Sequence, residues 1–290
     1  SAELGRALRE LADAGWQEAE PAEPPLPAVV WLPGTQVALA RTSAGTARGL
    51  TLAVKGGHNG EHHNHNDVGS VVVAVDGVPV LVDPGRPTYT ARTFGPDRYT
   101  IWTMRSDWHN VPLAGGATQG EGRGFGARDL RVLDEPGGFT VTLDLAGAYP
   151  APGPNRWMRT AVLDRAASRV TIEDDWDFDV AVSRGAIEDD RDFDVAASRG
   201  AAGGGPSTLH YVLAGRVERR SAGEVAVRPP DGARAVLISW DPDRATAALT
   251  VRMLDDPMLS AVWGERLTRL ELLLPGVARG VFALRVEVGD

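Results

Sequence analysis

From about residue 28 onward, apolar residues alternate with polar ones or gather in short blocks along nearly the whole chain. SVVVAV-DG-VPVLVD (70–83) joins two β-branched runs through Asp76-Gly77, a pair suited to a tight hairpin turn. Both faces of these runs are apolar, so the hairpin is expected to lie between two layers. GFTVTLDLAG (138–147), TAVLDRAASRVTIEDD (160–175), EVAVRPPDGARAVLISW (224–240), ATAALTVRML (245–254) and RLTRLELLLPGVARGVFALRVEV (266–288) continue the theme between turn signals. The pattern predicts an all-β fold, a large antiparallel multi-sheet β-sandwich over residues 28–290. Helical spacing occurs at the N-terminus, where Leu4, Leu8 and Leu11 share a face and Trp16 follows. A short helix is expected over 2–14, then the stiff acidic linker EAEPAEPPLP (18–27). Residues 1–27 thus read either as the end of a preceding helical domain or as an arm packed on the main one.

One segment interrupts the pattern. IEDDWDFDVAVSRGA (172–186) recurs as IEDDRDFDVAASRGA (187–201), with differences only at Trp176/Arg191 and Val182/Ala197. Two copies are too few for a repeat architecture, so they read as a tandem duplication forming a solvated acidic insert. Calcium is disfavoured there, because no Asx-x-Asx-Gly loop accompanies the acids.

Composition narrows the function. The 290 residues carry a net charge of −9 with 43% hydrophobic content, a globular balance without the basic field that nucleic acid needs. The absence of cysteine removes disulfides, thiol nucleophiles and Cys-ligated metals. The sequence has no long apolar run, so no membrane insertion is expected. Lys55 is the single lysine among 30 cations, which by itself reads as codon usage.

Four of the six histidines fall within GGHNGEHHNHNDVGS (56–70): His58, His62, His63 and His65, among Asn64, Asn66 and Asp67. On an extended segment His63 and His65 share a face, a spacing suited to a borderline-soft divalent ion. Asp83 and His109 are candidate further ligands, which would leave a fourth position open. The register raises a difficulty. With a strict two-residue turn Asp83 pairs with Ser70, and His65 lies roughly 16 Å further along and on the opposite face. One ion can bridge them only if the chain bends or bulges near Val68-Gly69. A cupin-type site is disfavoured, because no glutamate follows the His-x-His pair at its usual spacing. Downstream, 83–119 interleaves Arg86, Arg92, Arg98 and Arg105 with Tyr89, Tyr99, Trp102 and Trp108. Arginine forks pair with carboxylate or sulfate and rings stack on sugar faces, which suits an acidic carbohydrate. No carboxylate pair of the kind used for glycoside hydrolysis is evident.

KGGHNGEHHNHNDVGSVVVAVDGVPVLVDPG (55–85), Arg98-Tyr99 and RSDWHNVPLAGGATQ (105–119) together resemble the heparinase II/III-type C-terminal domain of polysaccharide lyases. The resemblance is close over roughly 50–120; later strands agree only in kind. It implies β-elimination on a uronic-acid polysaccharide held between an N-terminal α/α toroid and the β-sandwich. By this resemblance His65, Asp83 and His109 are the ligands of one mainly structural Zn2+. His63 is the active-site histidine and Tyr99 the proton-transferring base and acid. Arg86, Arg98, Arg105 and Asn64 are the expected substrate-binding residues. The toroid, a source of further site residues, is expected to be missing here, and the parent protein is expected to be secreted or periplasmic. The competing expectation is a non-catalytic, zinc-stabilised module that binds acidic polysaccharide.

Overall fold

The computed structural model describes residues 5, 8, 9, 11–18, 20, 25–178, 205–229 and 232–289. Strands dominate, as the alternation predicts, and they pair antiparallel in two large sheets and one small one. The first sheet runs in the spatial order β1 (Val29–Leu32), β2 (Val37–Arg41), β3 (Leu50–Lys55), β5 (Val71–Val75), β6 (Val78–Leu81), β13 (Thr208–Leu213), β18 (Arg266–Leu273) and β17 (Thr246–Met253). Short β7 (Pro112–Leu113) joins it beside β13. The second sheet runs β14 (Arg216–Ser221), β15 (Glu224–Arg228), β16 (Val236–Trp240), β19 (Arg279–Val288), β12 (Arg169–Asp177), β11 (Arg156–Asp164), β10 (Gly138–Asp144) and β9 (Arg128–Glu135). The two-stranded ribbon pairs β4 (His58–Asn59) with β8 (Gly122–Gly126).

The main core lies between the two large sheets. Leu50, Leu52, Val71, Val73 and Leu81 from one face Phe139, Trp157, Leu163, Ile172 and Leu284 from the other, all fully buried. The hairpin β5–β6 departs from the two-layer expectation. Val71, Val73 and Val75 are buried inward, but Val72 and Ala74 on the outer face are only half-buried. A second, smaller core joins Val82, just past β6, to Trp108, Val212, Ala214, Leu254, Leu259 and Leu267. It includes helix α1 (Pro257–Trp263), which the sequence reading did not anticipate. Asp256 caps it by accepting from the backbone N–H groups of Met258 and Leu259, with proline at the first helical position.

The N-terminal helix also differs from expectation. Gly5, Leu8, Arg9 and Leu11 are helical, the chain turns at Ala12 and leaves the helix at Asp13, and a separate helical turn covers Ala14–Gln17. Leu8 and Leu11 are exposed, so among the described residues those two side chains of the apolar stripe are not packed into a core. Within the first repeat copy, residues 172–177 belong to β12, with Ile172, Asp174 and Trp176 buried. This stretch differs from a solvated acidic insert, because Asp174 faces the core and is paired there with Arg159. Phe178 is buried as well, and the repeat from residue 179 on lies outside the described residues.

Candidate metal centre and adjoining polar cleft

The loop after β3 returns to the sheet through two departures from regular extension. Gly69 adopts φ +87, a left-handed value that glycine tolerates, and a Cβ there would lie 2.5 Å from the Leu145 side chain. The hairpin itself shifts register. Val75 faces Val78 and Ala74 faces Pro79, but Val73 faces Leu81, one residue beyond the strict pairing. A one-residue slip exchanges the faces of everything that follows, so Asp83 does not keep the orientation that strict alternation assigns. These two irregularities resolve the difficulty of joining His65 to Asp83.

His65, Asp83 and His109 each offer a ligand atom, and these atoms lie within 4.8 Å of one another. His109 Nδ1 is 2.7 Å from Asp83 Oδ2, and His65 Nδ1 is 4.0 Å from Asp83 Oδ1. His109 is fully buried, and its Nε2 sits 2.9 Å from the Thr103 carbonyl. A carbonyl only accepts, so Nε2 carries the proton and Nδ1 faces the site. This outer partner fixes the ring as metal sites commonly do. Two imidazoles and a carboxylate suit zinc, whose bonds of about 2.0–2.2 Å set tetrahedral donors roughly 3.3–3.5 Å apart. The present spread exceeds that by about 1.5 Å at most, so a modest closure completes a three-ligand site. The residues therefore fit the ion.

The electrostatics of His65 and Asp83 suit ion binding, whereas His109 must give up a proton to ligate. Burial, and then the neighbouring His109 charge, push His65 down to about 4, so it is a neutral donor near pH 7. Burial works against ionisation of Asp83. His109, His65 and the Gly85 N–H outweigh it and hold the carboxyl well below the usual carboxylate range. His109 is raised: burial opposes its charge, but Asp83 stabilises the imidazolium more strongly. Asp67, one of two acids in the histidine-rich segment, binds the Lys55 ammonium, which also lies 3.5 Å from the other, Glu61. The single lysine thus clamps this loop.

Asn64 and Tyr99 come together beside the triad. Asn64 Nδ2 lies 3.2 Å from the Tyr99 hydroxyl, which in turn can donate to Asn64 Oδ1 at 3.3 Å. Arg98 donates to the Asn64 and Thr93 carbonyls, so it braces the loop. Tyr99 and Arg105 share the lining of a polar cleft of about 250 Å3 with Asn66, Ser106, Gln119 and Glu121. Arg105 is already forked onto Asp107, with both contacts at 2.9 Å. His63 stands apart from the three ligands. It is exposed, occupies left-handed backbone at φ +57, and turns its ring parallel to Tyr89. Arg86 is exposed, with its guanidinium 5.1 Å over the Tyr89 ring.

Three supporting residues escaped the sequence reading. Asn110 donates to the Val71 and Val82 carbonyls and accepts from Val212 N–H, tying together the strands that carry the ligands. Arg159 donates to the carbonyls of Gly69 and Asn110 while its other nitrogens fork onto Asp174. Trp157 Nε1 also donates to Asp174. Arg159, buried in the core, thus holds both the bend after the histidine cluster and the residue after His109.

The heparinase II/III-like C-terminal family model matches residues 32–256. Comparison with curated proteins gives no match. Among solved structures, a mutant of heparan sulfate lyase HepC from Pedobacter heparinus aligns at TM-score 0.67 and 14% identity, over 100% of this chain and 41% of that one. A heparinase III gene product aligns at TM-score 0.65 and 13% identity, over 98% of this chain and 40% of its own. A further heparinase III structure aligns at TM-score 0.59 and 11% identity, over 93% and 37%. The chain therefore spans about two fifths of these neighbours, and at such identities the likeness concerns the fold.

Proposed function

Because the chain belongs to the heparinase II/III-like C-terminal family, we propose that it is the metal-holding part of a polysaccharide lyase acting on uronic-acid glycans. The observation that carries this reading is the convergence of His65, Asp83 and His109 beside the Asn64–Tyr99 pair. When bound, a zinc ion held by the three ligands supplies fixed positive charge that orders the Asp83 loop and polarises a nearby carboxylate. Neutralising the uronate carboxylate acidifies the adjoining C5–H. In this reading the ionised Tyr99 phenol, stabilised by the Asn64 Nδ2–H, takes that proton. The C–H electron pair becomes the C4–C5 double bond, the C4–O4 bond breaks, and the phenol returns its proton to the leaving oxygen. His63, on its exposed turn, contacts the carboxylate side of the substrate; Arg86 and Arg105 line its path. The reaction belongs outside the cytoplasm, where polysaccharide is met.

A non-catalytic, zinc-stabilised module for acidic polysaccharide is the second reading, favoured by His63 standing exposed and apart from the three ligands. Metal content of the purified chain separates both readings from an adventitious histidine loop. One zinc per chain is expected, lost in His65→Ala and in Asp83→Ala; substoichiometric metal in the parent chain overturns the assignment. Formation of unsaturated uronate by the chain, alone and fused to the part of a structural neighbour that it does not cover, then separates enzyme from module.

A further inference from the structure

We propose that Tyr89 and Phe94, together with Arg86, form a stacking subsite for one acidic pyranose unit, flanking the Asn64–Tyr99 pair. The inference deepens the glycan reading above and rests on it. Tyr89 is 37% exposed and Phe94 67%, a large apolar area to leave in water on a loop that is otherwise well fastened. The two rings meet edge to face at 5.3 Å, which presents a ledge rather than two separate side chains. Arg86 lies over Tyr89 at 5.1 Å, and no carboxylate pairs with it among the described residues. A guanidinium lying against a ring keeps its N–H edge free for a carboxylate or sulfate.

Charge supports the same occupant. Residues 86–105 hold four arginines (Arg86, Arg92, Arg98 and Arg105) and one acid, Asp97, in a chain of net charge −9. Arg105 is taken up by Asp107, which leaves Arg86, Arg92 and Arg98 against Asp97, a local excess of positive charge that favours an anionic ligand. The ledge is also continuous with the site. The His63 ring is parallel to Tyr89 within 7° at 6.3 Å, and its neighbour Asn64 bonds Tyr99. The loop is held before any ligand arrives. Thr88 N–H donates to Asp256 at 2.9 Å, Thr90 N–H donates to Thr93 Oγ1 at 3.0 Å, and Thr93 is buried. Such preorganisation lowers the cost of binding.

Calorimetric titration of this chain with size-matched uronate and neutral oligosaccharides tests the subsite. Phe94→Ala and Tyr89→Leu are each expected to weaken uronate binding about three- to tenfold, with Phe94→Trp restoring it. Arg86→Gln should weaken binding and flatten its salt dependence. The melting temperature should change little in Phe94→Ala, because that ring is 67% exposed. Leu133→Ala, on the distant edge strand β9, should bind like the parent. Undiminished affinity in both ring variants, equal affinity for neutral chains, or no uronate binding by the parent overturns the subsite. Stoichiometric zinc and unsaturated product in that event leave the lyase reading standing. An intact ledge without zinc or product removes the lyase reading alone.

Discussion

Replacing Arg159 tests whether the site depends on the core beneath it. Arg159 and Asp174 are both fully buried, forked at 2.9 and 2.8 Å. Arg159→Met leaves the Asp174 carboxylate in the core with Trp157 Nε1 as its remaining side-chain donor. Removing one partner of a buried pair costs about 3–5 kcal/mol. At about 2 °C per kcal/mol for a chain of this size, the melting temperature should fall by roughly 6–10 °C. Arg159→Met/Asp174→Leu removes both charges and should recover part of that loss, the rest being held back by the unpaired Trp157 Nε1–H. The carbonyls of Gly69 and Asn110 still lack their donor in the double variant. Zinc affinity should therefore stay about 10- to 100-fold below the parent, as for other outer-shell losses. Thermal unfolding by circular dichroism and competitive zinc titration read the two effects separately. A single variant within about 1 kcal/mol of the parent refutes the energetic argument. A double variant that binds zinc normally refutes the positional one.

Asp76 accepts from Arg234 at 2.7 and 2.8 Å and from Gly49 N–H at 2.9 Å, contacts that hold its carboxyl well below the usual range. A depressed folded value means stability present above the unfolded pKa of about 3.9 and lost as pH falls through the folded one. Asp76→Asn should thus be less stable than the parent by a constant amount above about pH 5, with the gap closing in acid; a gap that widens in acid contradicts this. Asp256→Ala removes the cap of α1 and should cost about 1 kcal/mol, read by chemical denaturation. Tyr99→Phe in a lyase-competent fusion should slow unsaturated-product formation about 10²- to 10⁴-fold with zinc content unchanged, whereas an unaltered rate removes Tyr99 from proton transfer.

The strands were legible because alternation and turn residues act locally. The hairpin at Asp76-Gly77 needed only β-branched runs and a turn pair. Its register was not legible: Val78, Val80, Leu81 and Val82 are all apolar, so alternation cannot reveal an extra residue between Pro79 and Leu81. Helix α1 was missed because seven residues give too little periodicity, although Asp256-Pro257 is a usable start signal. Composition near the histidines marked the region of the site, but the ligand set came from family resemblance and waited on two backbone irregularities. Arg159 and Asp174 did carry a readable signal. Trp157, Arg159, Ala161 and Leu163 share one parity, as do Val170, Ile172, Asp174 and Trp176, and each set is buried. A charge at an inward position on each of two adjacent strands points to a buried pair, and Arg159 is directly opposite Asp174.

That parity also decides which repeat copy can serve as strand. Deleting 187–201 or deleting 172–186 gives two chains that differ only where Trp176 is exchanged for Arg191 and Val182 for Ala197. Trp176 is 3% exposed, stacks on Trp157 at 5.5 Å, and donates Nε1–H to the Val277 carbonyl at 3.1 Å. Gly280 leaves room for it, since a Cβ there would lie 2.4 Å from the indole. With the first copy removed, the second enters β12 with Arg191 in the indole position. Losing a buried tryptophan costs about 3–5 kcal/mol, and the inward acid of β12, Asp174, is already forked by Arg159, so the guanidinium brings a further charge into the core. The chain lacking 187–201 should melt within about 2 °C of the parent, and the chain lacking 172–186 at least about 6 °C lower. Equal melting temperatures would mean that the indole does not select the strand, and the core argument for β12 would fail with it.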